Sequence, residues 1–150
     1  RYSGDLALDL HRPVPADRRA LLPIVLVVHG GSWRGGDRTQ LPAICRWLAD
    51  RGHAVASIDH RLAPEHPFPA AHEDVLAAIA WLRREGPALG LDPARLVLYG
   101  RSSGAHLALL AAYTSPPGTV RGVIALYPPT DLVWSWEHPT NPWVLDTPGV

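Results

Sequence analysis

Apolar residues along the chain gather into short, nearly continuous runs, separated by segments with helical spacing. Four runs rich in β-branched residues, Ile24–Val28, Ala54–Ile58, Leu96–Tyr99 and Val123–Tyr127, lack the polar alternation of a half-exposed strand. Unbroken runs of this length predict strands covered on both faces. Leu6–Leu10 alternates apolar and polar residues and predicts an exposed edge strand. Between the runs, Leu41, Ile44, Cys45 and Leu48 follow i, i+3, i+4, i+7 spacing, predicting a helix with Thr39 as N-cap and Gly52 as its stop. Val75, Ile79 and Leu82 mark a second helix, opened by Glu73 and Asp74, closed by Arg83 and Arg84 as the helix dipole favours, and ended by Gly86 and Pro87. A third, Ser103–Tyr113, is apolar nearly all round and predicts a buried helix. Past Tyr127 the pattern changes. Pro128, Pro129, Pro139, Pro142 and Pro148 crowd together with Trp134, Trp136 and Trp143, without a period, and predict an irregular segment. Strands alternating with helices imply right-handed βαβ crossovers. The expected class is α/β, a doubly wound, mostly parallel sheet with helices on both faces.

Composition narrows the chemistry. At 150 residues the chain suits one domain, and 47% hydrophobic with 19% charged residues excludes a disordered chain. Lys+Arg and Asp+Glu number 14 each, for a formal charge of +0, so the basic footprint of a nucleic-acid binder is missing. Every basic residue is Arg, which excludes a GxxxxGK[ST] phosphate loop and a lysine Schiff base. Cys45 stands alone, so neither an internal disulfide nor a multi-cysteine zinc site can form. His11, His53, His66 and His72 lack metal-ligand spacing, and no metal or other cofactor is expected. The run Ile24–Val28 is too short to cross a bilayer. With Met 0, Arg1 is not a translation start; no leader is visible, and the expected compartment is the cytoplasm.

In an open parallel sheet, ligands bind beyond the carboxyl ends of the strands. After Leu96–Tyr99 comes Gly100-Arg101-Ser102-Ser103-Gly104, a G-x-S-x-G match running straight into the third helix. A serine on so sharp a strand-to-helix turn projects its hydroxyl off the sheet, and the residues two before and two after it must be small. Gly100 and Gly104 meet that demand around Ser102; around Ser103 the same positions are Arg101 and Ala105. Ser102 is therefore the candidate nucleophile. After Ile24–Val28 comes His29-Gly30-Gly31-Ser32-Trp33, whose paired glycines expose backbone N–H groups at a strand end. Gly30 and Gly31 on one side and the Ser103 amide on the other are the candidate oxyanion hole. A nucleotide-binding loop is the rival reading, and the missing G-x-G-x-x-G order argues against it.

Taken in order, His29–Trp33, Asp59-His60-Arg61-Leu62-Ala63-Pro64-Glu65 and Gly100–Gly104 resemble the α/β-hydrolase fold, in particular the hormone-sensitive-lipase-like carboxylesterases and their bacterial acyl-esterase relatives. The resemblance runs from about Leu6 to Asp131. It implies a serine hydrolase that cleaves short acyl esters, a small-molecule substrate, through an acyl-enzyme on Ser102. Related branches include arylformamidases, feruloyl or acetyl-xylan esterases and some peptidases. A hydrolase-like binding or scaffold module without catalysis is the alternative. His60 stands where the family commonly has Tyr, Ser32 replaces a third glycine, and Ala105 sits where Gly often follows. His29 is expected to order the oxyanion loop, and Asp59 and Arg61 to brace the loop by hydrogen bonds.

A serine nucleophile needs a base held by a carboxylate, and in this fold the chain order is Ser, then Asp or Glu, then His. After Ser102 the histidines are His106 and His138, and the acid candidates are Asp131 and Asp146. His106 follows one turn into the helix that Ser102 starts, where packing is its plainer role. Asp131 serves as triad acid, turn residue or helix cap; His138 lies in the Pro/Trp segment. The resemblance instead places acid and base after later strands, so residues 1–150 are expected to form a single α/β-hydrolase domain that is incomplete at its C-terminus. The oligomeric state is not encoded in any pattern here.

Overall fold

The computed structural model describes residues 1–14 and 20–138. Pro139, Pro142, Trp143, Asp146 and Pro148 lie outside the described residues. Five strands, β1 (Leu8–His11), β2 (Leu22–Val28), β3 (Ala54–Ile58), β4 (Leu91–Arg101) and β5 (Gly122–Leu126), form one sheet in the order β1-β3-β2-β4-β5. Three of the four pairings run parallel, and β1 pairs antiparallel with β3 at the edge. Helices α1 (Pro42–Ala49), α2 (Ala70–Glu85), α3 (Ser103–Thr114) and α4 (Leu132–Glu137) supply the connections and the last element.

Strand parity divides the core. Ile24, Leu26 and Val28 point to one face, where they pack with Val75, Ile79 and Leu82 of α2 and Leu107, Ala108 and Ala111 of α3. Val25 and Val27 point to the other, against Cys45, Leu48 and Ala49 of α1. This two-faced burial is what unbroken apolar runs encode, because successive side chains alternate sides and each side must be dry. The doubly wound arrangement follows. None of the helices among the described residues is long and apolar enough to cross a membrane.

Several local expectations shift. Thr39 does not cap α1: its hydroxyl donates to Asp37 Oδ1 (2.5 Å) and its amide to the same oxygen (2.7 Å), closing a turn before the helix. Pro42 then starts α1 in the first-turn position that needs no N–H, with Leu41 as a cap residue that makes no side-chain bond. Near the predicted stop, α1 ends at Ala49, and Gly52 takes φ +88° while its amide returns to the Ala49 carbonyl (3.0 Å). α2 begins at Ala70, earlier than the acidic pair suggested, and Asp74 is buried. β4 reaches back to Leu91 through Pro93, with the ladder shifting register at Pro23/Ile24 to accommodate it. The segment after Tyr127, predicted irregular, contains the short helix α4. β5 is outermost among the described residues, and Ile124 (46% exposed) and Leu126 (39%) meet solvent.

Candidate active site

β2 and β4 are neighbours and finish together, with Val28 opposite Gly100. Both sequence motifs therefore leave the sheet at one place, the carboxyl end of two parallel strands. Ser102 turns the chain from β4 into α3 with φ 52° and ψ −129°. A side-chain-bearing residue in such a region costs about 1–3 kcal/mol and persists only where its surroundings over-determine it. Here the Ser102 amide donates to the Leu126 carbonyl (2.9 Å), and its carbonyl accepts from the amides of Ala105 (2.9 Å) and His106 (3.1 Å). Flanking glycines make room for the turn. A Cβ on Gly100 would stand 2.4 Å from the Gly104 carbonyl oxygen, and one on Gly104 would stand 2.2 Å from that of His29. The elbow thus presses directly on the end of β2. Ser103 is 2% exposed and its hydroxyl is buried without a partner, whereas Ser102 is half-buried.

The glycine loop closes the other side. A Cβ on Gly30 would lie 3.3 Å from Ser102 Cβ and 2.9 Å from the Arg101 carbonyl oxygen. Gly31 takes φ +133°, and the loop doubles back so tightly that a Cβ there would fall 2.0 Å from the Gly35 carbonyl oxygen. Amides of Arg34 and Gly35 both donate to the Gly31 carbonyl at 3.0 Å. Ser32 and Trp33 follow with φ 52° and 59°, so three of the positive-φ side-chain-bearing residues gather in the two motifs. Among the described residues the amides of Gly30, Gly31 and Ser103 donate to no backbone carbonyl. Ser103 opens α3, where an N–H has no partner within its own helix. Unpaired N–H groups beside a half-buried hydroxyl can stabilise a developing oxyanion.

Behind the loop sits a fastening the sequence showed only in part. His29 is buried, its Nδ1–H donates to the Gly30 carbonyl (2.9 Å), and its ring stacks on His60 with centroids 4.2 Å apart and planes 10° apart. Burial pushes both imidazoles below the usual 6.5, and the neighbouring His29 lowers His60 further. Both rings are therefore neutral near pH 7. The Asp59 carboxylate accepts from the Arg38 amide (2.9 Å) and guanidinium (2.7 Å), while Arg38 Nε reaches Asp9 on β1 (3.0 Å). Arg61 donates through Nε to Asp74 (2.9 Å), and its backbone N–H donates to Asp74 Oδ2 (2.8 Å). Asp59 thereby ties the 59–65 loop to the 37–40 turn and the edge strand, and Arg61 ties it to α2. Arg38 escaped sequence reasoning and Asp74 was read only as a helix-opening acid, because neither belongs to a motif, whereas Asp59 and Arg61, which they meet, do.

The structure brings Ser102, Ser103, Gly30, Gly31 and His29 together. Asp59 and Arg61 flank His60 one loop away. Asp131 caps α4, its Oδ1 accepting from the Trp134 amide (2.8 Å). His138 Nδ1–H donates to the Trp134 carbonyl (3.1 Å), and its ring stacks on Trp134. His106 sets its ring edge-on to Trp33, centroids 5.5 Å apart. Among the described residues no histidine hydrogen-bonds the Ser102 hydroxyl. A groove of about 770 Å³ between α2 and the α3–β5 connection touches none of these residues.

Comparison with known proteins places this geometry in context. The BD-FAE family matches over residues 8–144. The esterase LipI of Mycobacterium tuberculosis is 38% identical over 111 residues, 73% of this chain and 35% of that protein. Carboxylesterase NlhH of the same organism is 39% identical over 112 residues, 74% of this chain and 35% of that protein. Among solved structures, a hyperthermophilic esterase from the archaeon Pyrobaculum calidifontis superposes with a TM-score of 0.75 at 35% identity, covering 82% of this chain and 40% of that one. The chain spans about a third of the length of the curated relatives it matches.

Proposed function

The chain belongs to the BD-FAE family, among the α/β-hydrolase carboxylesterases, and from that premise we propose that it supplies the nucleophile and oxyanion hole of a carboxylic ester hydrolase acting on short acyl esters. Ser102 Oγ attacks the ester carbonyl carbon, and the carbonyl oxygen becomes an oxyanion facing the Gly30, Gly31 and Ser103 amides. Collapse breaks the C–O bond to the alcohol, which leaves with the serine proton, and an acyl-enzyme remains on Ser102. Water then adds to the acyl carbon, the carboxylic acid departs, and Ser102 regains its proton. The base and acid that move these protons are assigned to segments other than α4, because Asp131 and His138 are both engaged within that helix's own ends.

The observation that carries this reading is the backbone of Ser102, held in the left-handed region between two glycines that admit no Cβ and against a third that adjoins it. Strain of this kind at one serine, beside three amides that donate to no backbone carbonyl among the described residues, suits acyl transfer and does nothing for packing. The LipI and NlhH likeness supports the ester as substrate. An active-site-directed fluorophosphonate tests it: the full protein should be labelled at Ser102 and should hydrolyse a short-chain aryl ester. Absence of both in a folded protein would favour a binding or scaffold role instead.

A further inference from the structure

The geometry points to His60 as a positioning residue for the oxyanion loop: by stacking on His29 it holds the Gly30 and Gly31 amides in place. The inference rests on the ester-hydrolase reading for its catalytic consequence, though not for its structural content. His29 directly precedes the glycine pair, so the attitude of its ring fixes where the loop departs from β2. Two contacts set that attitude. A Cβ on Gly36 would lie 2.5 Å from His29 Nδ1, so the loop's own backbone closes one side of the ring. The His60 ring closes one face, nearly parallel at 4.2 Å. His60 is itself fixed, buried and with Nδ1–H donating to the Arg61 carbonyl (3.1 Å), beside the Arg61–Asp74 pair that anchors its loop to α2. A chain of contacts therefore runs from α2 through Asp74, Arg61, His60 and His29 to Gly30.

The same contacts dictate the protonation state that the arrangement tolerates. With both Nδ1 atoms donating to carbonyls, both Nε2 atoms carry the lone pair, and both are buried without a partner. A proton on either is a charge taken from water; protons on both are like charges one stacking distance apart. Asp59 and Asp37 face His29 and favour its proton, whereas Arg101 opposes it. His60 faces His29 and Asp74, and Asp74 is already paired with Arg61. Burial outweighs the carboxylates for both rings. Folded-state values below 6.5 mean that the loosened state binds protons the stacked state refuses. The contribution of the stack is complete above about pH 6.5 and is lost as pH falls below it.

The test uses the full protein, its His60→Ala and His60→Phe variants, and two readouts. One is kcat and KM for a short-chain aryl ester from about pH 5 to 8; the other is amide hydrogen exchange over residues 24–40. His60→Ala is expected to lower kcat by about 10- to 100-fold with KM within about three-fold, since a misplacement near 1 Å has that effect. It should also speed exchange at Arg34 and Gly35, whose amides donate to the Gly31 carbonyl, about ten-fold. His60→Phe keeps a ring on His29 and removes one proton site, so it should recover most of kcat and move the acid fall to lower pH. Unchanged kcat and exchange in a folded His60→Ala protein would overturn the inference. So would a His60→Phe protein as impaired as His60→Ala with the wild-type acid fall. If His60→Ala does not fold, the His60→Phe profile and the wild-type exchange below about pH 6.5 decide the matter. If the wild type hydrolyses no ester, the hydrolase reading fails, and exchange alone still decides the positioning role.

Discussion

Replacing Gly104 by Ala is the sharpest perturbation the site offers, because the added methyl meets backbone from the other half of the site. Its Cβ would lie 2.2 Å from the His29 carbonyl oxygen and 2.4 Å from that of Val28, against a closest ordinary approach of 3.0 Å. The start of α3 and the end of β2 must then separate by at least the difference, 0.8 Å. Neither is a flexible side chain that can swing aside. Overpacking of this kind costs roughly 3 kcal/mol at the upper end of its range, and the better helix propensity of Ala returns at most about 1 kcal/mol. A net loss of about 2 kcal/mol is expected in urea unfolding. The same displacement draws the Ser103 amide away from Gly30, and a shift near 1 Å in a catalytic constellation lowers rates about 100-fold. Steady-state hydrolysis of a short aryl ester by the full protein should show that loss in kcat, with KM little changed. Gly122→Ala is the control, since its Cβ would meet nothing within 4 Å. A folded Gly104→Ala protein with wild-type midpoint and kcat would refute the claim that elbow and oxyanion strand are in rigid contact.

Other expectations follow from the same geometry. Ser102→Ala should abolish ester turnover and fluorophosphonate labelling, while Ser103→Ala keeps most of the turnover and loses no stability, because its hydroxyl is buried and unpartnered; the reverse ranking would dismiss the elbow assignment. Gly31→Val combines φ +133° with a Cβ 2.0 Å from the Gly35 carbonyl oxygen, so kcat should fall about 10²–10³-fold; an unchanged kcat with native circular dichroism would remove Gly31 from the mechanism. Residues 1–150 expressed alone should self-associate with rising concentration through the exposed apolar edge of β5 and turn over little ester, as sedimentation and an aryl-ester assay would show. A monomer at ordinary enzyme rates contradicts that expectation.

The inner strands were legible because two dry faces leave one signature, an apolar run without gaps, and β2 and β3 fall on the predicted runs. β4 was legible only in its second half, since Pro93 and the charged residues before Leu96 conceal a strand that starts at Leu91. Thr39 shows how a local competitor misleads: an Asp two residues earlier captured the side chain that a helix start would have used. Asp74 looked like a residue serving the helix dipole and is instead a buried partner of Arg61, a contact between residues 13 apart that no helical periodicity reports. Gly100, Gly104, Gly30 and Gly31 were readable because close backbone approach leaves one residue type to use. His60 was visible only as a departure from the family pattern, since stacking between residues 29 and 60 has no sequence period.

The pairing of Val28 with Gly100 joins residues some seventy positions apart. The connection at Pro87–Gly90 lies between them, so it divides the chain into a piece that owns the glycine loop and a piece that owns the serine. Neither piece holds a site. On the proposed reading, reactivity at Ser102 would appear only once β4 has docked beside β2, which would make it a reporter of assembly: cut at that turn, the two pieces would signal their own reunion by chemistry.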